Sequence, residues 1–123
     1  MKKEIKYDLE ERSMKFAQSI RSYIRTIKKT SEIQSDVLQL IRSSGSVGAN
    51  YIEANDSLSK KDFFMRIRIC LKETKETEYW LKLIHDTYPD SNKLIMGQLI
   101  KEAHELRCIF AKIIQTTLQK SQV

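Results

Sequence analysis

Little in this chain can break a helix. Its 123 residues include three glycines and one proline, well below the roughly 7% and 5% of ordinary proteins. Nothing reads as a strand pattern. Cysteine is scarce as well: Cys70 and Cys108 are the two, with no C-x-x-C spacing. Small reduced thiols are the simplest reading, which suits a cytoplasmic setting. No apolar run approaches the roughly 20 residues of a membrane span. Met1-Lys2-Lys3 leads into Glu4 and Lys6 rather than an apolar stretch, so no signal peptide and no membrane partner are expected. Like charges never run to five in a row, so there is no basic or acidic tail.

Charge is what the chain has in quantity. Charged residues make up 31%, with a formal balance of +6. That surplus suits an anionic partner such as RNA, DNA or an acidic protein face; an ordinary solvated surface is the plainer alternative. The length fits one domain spanning residues 1–123.

Helical periodicity organises nearly everything else. Leu9, Phe16, Ile20, Tyr23 and Ile27 recur at three- and four-residue steps and predict a first helix over about residues 9–27. Residues 1–7 are expected to fray. Ser31 is the expected cap of a second helix over about 33–55, with Glu32 in its first turn. Its apolar series runs Ile33, Val37, Leu40, Ile41, then through Ser44, Val47, Gly48, Tyr51 and Ala54 to Leu58. Propensity alone would stop this helix at Gly45 and Gly48, at about 1 kcal/mol each relative to alanine. A loop would reset the phase, yet the phase persists, so one continuous helix is predicted. Ser44 with Gly48, and Gly45 with Ala49, then form four-apart small pairs where a neighbouring backbone can come close. A phosphate-binding loop is excluded, because no G-K-[ST] follows and no strand precedes.

Ser59 caps a third helix over about 60–86, with core positions Phe63, Ile67, Leu71, Thr74, Leu81 and Ile84. A second stripe, Ile69, Glu73, Glu76 and Trp80, implies more than one neighbour. Tyr88-Pro89-Asp90-Ser91 is the strongest stop signal. A fourth helix over about 92–118 follows, with Leu99, Ala103, Leu106, Phe110, Ile113 and Thr117 facing inward and a loose tail from Gln119. The expected fold is therefore all-α, an antiparallel up-down-up-down four-helix bundle.

Candidate chemistry is thin. The residues three before His85 and His104 are Lys82 and Lys101, so the E-x-x-H pattern of carboxylate metal bundles is missing and no metal or cofactor is expected. Neither cysteine has an obvious base, and no serine elbow is present. Arg42, Asn50 and Glu53 on helix 2 and Lys72, Glu73 and Glu76 on helix 3 are expected to pair through the small-residue patch as a structural polar network. Glu78 belongs to the same interleaved stretch. An enzyme built on Glu53, Glu73 and Glu76 lacks a nucleophile or metal to work with. Arg21, Arg25 and Lys28 form a basic stripe on helix 1, and Lys60, Lys61, Arg66 and Arg68 open helix 3. Cations near a helix N-terminus oppose its dipole, which points to an external anion.

R-S-S-G-S-V-G-A-N-Y-I-E-A from Arg42, S-L-S-K-K-D-F from Ser57 and C-L-K-E-T-K-E-T-E-Y-W-L from Cys70 stand in order along the chain. So do D-L-E-E-R-S-M-K-F-A from Asp8 and E-A-H-E-L from Glu102. With these motifs the chain resembles the bacterial four-helix-bundle family named for 23S rRNA intervening-sequence proteins. Ser46 stands where threonine is common in that family. The resemblance implies a ring-like homopentamer and no established enzyme activity. A more distant similarity, to the accessory variability determinant of diversity-generating retroelements, implies a basic pentamer that meets a nucleic-acid enzyme and RNA. The expected function is a non-enzymatic homo-oligomer that binds nucleic acid or a nucleoprotein through Arg21, Arg25, Lys28, Lys60, Lys61, Arg66 and Arg68. The alternative is a protein–protein adaptor.

Overall fold

A computed structural model describes the backbone of residues 2–121 and the side chains of residues 9–120. Four helices follow one another: α1 (Lys2–Thr26), α2 (Ser31–Asn55), α3 (Lys60–Thr87) and α4 (Lys93–Ser121). No strand occurs among the described residues. At 25 to 29 residues each, the helices are about 37–44 Å long. Contacts between neighbours run in opposite senses. Glu10 meets Asn55 while Arg21 meets Ser44, and Ser43 meets Thr77 while Asn50 meets Arg66. Likewise Glu78 meets Arg107 while His85 meets Lys93, and Arg12 meets Glu102 while Tyr23 meets Asn92. Each helix is thus antiparallel to the next, and α1 closes on α4.

The helix ends follow their capping residues, with corrections. Ser59 Oγ accepts the amide of Asp62, as expected. For α2 the cap is Thr30 rather than Ser31: Thr30 has extended backbone and its hydroxyl accepts from Ile33, while Ser31 is already the first helical residue. Asn92 Oδ1 accepts from Ile95 and caps α4. The helices extend further than expected at both ends: α1 begins at Lys2 and α4 continues to Ser121. Met1, Gln122 and Val123 lie outside the described residues.

The predicted core assembles around Phe16, Ile20, Leu40, Val47, Ile67, Leu81, Ile84, Leu106 and Phe110, each at most 2% exposed. Periodicity missed Ile24, Met96, Ser43 and Thr77, which are also buried. Leu58 is a misassignment: it is 98% exposed. The helix stops at Asn55, and the turn that follows carries Leu58 off the inner face.

The glycine-containing stretch of α2 is unbroken helix, and no glycine has positive φ. Absent side chains there do admit a neighbour, but the neighbour is α1. A methyl group at Gly48 would lie 3.0 Å from Ser13 Oγ and 3.8 Å from the Ser13 backbone carbon; one at Gly45 would lie 3.1 Å from Arg21 Nη2. Ala49 takes no part in this packing. It is exposed, because it falls on the opposite side of α2 from Leu40. The expectation that α2 meets α3 through this patch is likewise corrected. The α2–α3 seam uses Ser43, Val47 and Asn50: Thr77 Oγ1 donates to Ser43 Oγ at 2.8 Å, and Cys70 Sγ donates to Val47 O at 3.6 Å.

Burial pushes the Cys70 thiol up to about 12 from its ordinary 9.0. The folded chain therefore keeps this proton at pH values where the unfolded chain releases it. The resulting stability is complete below pH 9 and is lost as pH rises toward 12. Unfolding free energies from urea denaturation between pH 8 and 11 should fall more gently for Cys70→Ala than for the parent chain, by up to about 1.4 kcal/mol per pH unit. Parallel curves would contradict this assignment.

Candidate functional site

The seven basic residues singled out by sequence do not form one surface. Arg21 is a correction: its guanidinium turns inward along α1 and α2. Nη1 donates to Ala17 O at 3.1 Å and Ser44 Oγ at 3.3 Å, and Nη2 donates to Ile41 O at 3.0 Å. Ile41 O and Ser44 lie one turn apart, so the planar fork spans the α2 backbone beside Gly45. Arg66 is also engaged, with Nη1 donating to Asn50 Oδ1 at 3.0 Å.

The other five, Arg25, Lys28, Lys60, Lys61 and Arg68, are exposed, and none has a carboxylate at ion-pair distance among the described residues. They occupy two ends of the bundle. Lys28 O accepts from Tyr88 at the end where α3 finishes. Lys60 and Lys61 start α3, about 40 Å away along its length. There a shallow groove is lined by Leu58, Lys60, Lys61, Phe63, Phe64 and Lys120. Arg68 lies over the Phe64 ring at 5.8 Å, which leaves its outer edge to solvent. A second groove at this end carries Glu53, Asp56, Asp62 and Arg66, so acidic groups border the basic surface on the α2 side.

The expected polar network is only partly assembled. Arg42 bridges from α2 to α3, with Nη1 3.3 Å from Glu73 Oε1 and Nη2 bonded to Glu76. The Glu76 bond, with Glu73 beside it, holds the guanidinium above its ordinary pKa. Asn50 belongs to a separate contact with Arg66. Glu53 and Lys72 are exposed and are not part of the network. Lys72 lies about a half-turn around α3 from Cys70, and Glu53 lines the groove beside Arg66 at the end of α2.

Two stronger clusters went unrecognised. Glu78 has a side chain only 8% exposed; Arg107 Nε lies 2.8 Å from Oε1 and Lys82 Nζ 3.3 Å from Oε2. Arg12 reaches from α1 to α4, where Nε and Nη2 contact Glu102 at 2.7 and 2.9 Å and Nη2 contacts Glu105 at 2.7 Å. Hydrogen bonding to Glu102, ahead of Glu105, holds Arg12 charged beyond the usual arginine range. The three-residue spacing of Glu102 and Glu105 in E-A-H-E-L was the available signal. Two carboxylates on one helix face suit one guanidinium fork. Among the described residues no group of three or more His, Cys, Asp or Glu side chains is placed to hold a metal.

Four antiparallel helices tied by ionic seams, with basic side chains at both ends, define an all-α four-helix bundle. The family model for 23S rRNA-intervening sequence proteins matches residues 6–112, and the chain belongs to that family. A solved structure from Bacteroides thetaiotaomicron, described as a protein with unknown function from the S23 ribosomal protein family, is 28% identical. It superposes with a TM-score of 0.80, over 89% of this chain and 97% of its own. No protein of curated function matches. No helix among the described residues is long and apolar enough to cross a membrane.

Burial separates the two carboxylate–arginine seams on α3. Glu78→Ala strands Arg107 beside an emptied, enclosed position and should lower stability by about 2–3 kcal/mol. Arg42, whose side chain is 47% exposed, should contribute no more than about 1 kcal/mol when changed to Ala. Urea denaturation of both variants checks the order; equal losses would contradict it.

Proposed function

We propose that this chain is a non-enzymatic helical homo-oligomer that binds nucleic acid or a nucleoprotein through its basic ends. One observation carries the reading. Arg12, Arg42 and Arg107 are neutralised by carboxylates, whereas Arg25, Lys28, Lys60, Lys61 and Arg68 are exposed, with no carboxylate at ion-pair distance among the described residues. These five lie toward the extremities rather than in the seams, within a chain whose formal balance is +6. Lys60, Lys61, Lys120 and Arg68 form the denser set, and phosphate contacts would supply most of the affinity.

Self-assembly is supported by the outer faces. Leu38 and Ile52, 59% and 45% exposed, lie with Ala49 on the side of α2 turned from the core. On α3, the exposed Tyr79 ring stands edge-on to Trp80 at 5.0 Å. A second copy would cover the exposed apolar side chains Leu38, Ile52 and Tyr79; the family resemblance suggests five copies. Two cysteines left as thiols suit a cytoplasmic setting.

A second reading, a protein–protein adaptor, is favoured by Leu58 and the Phe63–Phe64 groove beside it, which an apolar partner segment would fill. Charge reversal separates the two. Lys60→Glu with Lys61→Glu should abolish nucleic-acid binding and leave apolar docking largely intact. Binding to structured RNA, single strands and duplex DNA, titrated with salt, should show log affinity falling by roughly 0.7–0.9 per phosphate contact for each log unit of salt. No binding at low salt would remove the first reading.

A further inference from the structure

The groove at the start of α3 joins two properties that a purely ionic partner would not use together. Its walls are apolar: Leu58 is 98% exposed, and Phe63 and Phe64 line the groove beside it. Its rim is cationic, with Lys60, Lys61 and Lys120 around those walls. The N-terminal end of the α3 dipole adds positive charge at the same place. A fitting occupant therefore carries a flat apolar face and negative charge side by side.

The basic surface continues beyond this groove. Arg68, Lys72 and Lys75 follow Lys61 at steps of seven, four and three residues, on one side of α3 with Phe64. All four cations are exposed. The acids of this stretch, Asp62 and Glu73, are directed elsewhere. Asp62 lines the neighbouring groove with Glu53 and Asp56, and Glu73 lies 3.3 Å from Arg42. A track of one sign thus runs about 21 Å along α3. The acidic groove repels a polyanion on the α2 side, which leaves the length of α3 as its path. Lys75 lies one turn before Tyr79, the ring a second copy would cover, and the track stops there.

We propose that this face binds single-stranded nucleic acid, with an unpaired base seated among Leu58, Phe63 and Phe64 and the phosphates of the strand following Arg68, Lys72 and Lys75. This names the form of nucleic acid for the reading given above and rests on it. A single strand offers free base faces and a charged backbone together, which is what the groove and the track receive. A duplex keeps its base faces stacked inside and presents mainly phosphates here. Arg68, 5.8 Å from the Phe64 ring centroid, holds a cation beside the aromatic surface where base and phosphate meet. An acidic peptide neutralises the track but puts carboxylates where the groove is apolar. Ribose and deoxyribose strands share the matching chemistry.

Fluorescence anisotropy on the full chain tests this with labelled single strands of about 12 nucleotides, one of uridine and one of thymidine, beside a duplex and an abasic strand of the same length. At least one base-bearing strand should bind more tightly than the duplex despite the denser charge of the duplex. The same strand should bind roughly fivefold or more tightly than the abasic one. Lys75→Ala, at an exposed position, should lower the slope of log affinity against log salt by about 0.7. Leu58→Ser, at a side chain outside the core, should weaken the base-bearing strand toward the abasic level and leave that slope unchanged. Equal binding of base-bearing and abasic strands, a preference for duplex, or indifference to Leu58→Ser would overturn the proposal and leave the broader nucleic-acid reading standing. Polyglutamate that displaces the strand as well as unlabelled strand does, at equal charge, would assign the face to an acidic polypeptide instead. Failure of every probe to bind at low salt would end both readings.

Discussion

At Gly48 the second helix comes so close to the first that a methyl group would lie 3.0 Å from Ser13 Oγ. The rest of the bundle is arranged around that approach. With α1 drawn in, Ser13 satisfies its hydroxyl on Leu9 O at 2.7 Å, and Arg21 can lay its guanidinium across Ile41 O and Ser44. The approach at Gly48 and the Arg21 contacts require helix at Gly45 and Gly48; the Ser13–Leu9 bond lies within α1 itself. Two glycines within a helix destabilise it by about 2 kcal/mol in isolation, which tertiary packing of the kind seen here can offset.

Polar side chains set the register of the remaining seams. Thr77 with Ser43 fixes α3 against α2 inside the core, and Arg42 repeats the alignment at the surface through Glu73 and Glu76. Glu78 with Arg107 aligns α4 on α3, and Arg12 with Glu102 and Glu105 closes α4 on α1. A helix sliding by one turn would leave a partly buried carboxylate without its partner, which costs several kcal/mol. Apolar stripes alone tolerate such a slip far better.

Much of this architecture was legible in the residues. Scarce glycine and proline, the Ser59 cap, the Pro89 stop and persistence of phase through Val47 and Tyr51 were enough for four helices and most of the core. Direction around the helix axis was harder. Ala49 reads as part of a small-residue patch in one dimension, yet a 100° rotation per residue carries it to the solvent side. Arg21 and Arg66 read as surface cations because composition cannot reveal an acceptor on a neighbouring helix. The Glu78–Arg107 and Arg12–Glu102 pairs are separated by 29 and 90 residues, so only the packed bundle brings them together. Exposure then separates the arginines that lock helices from the cations left on the surface, of which the end clusters are the denser part.

Amide hydrogen exchange at Val47, Gly48, Ala49 and Asn50 tests the continuous, closely packed α2 most directly. The account predicts exchange as slow as that of Leu40 in the same helix, governed by opening of the whole bundle. Fast, locally governed exchange confined to these four amides would contradict it.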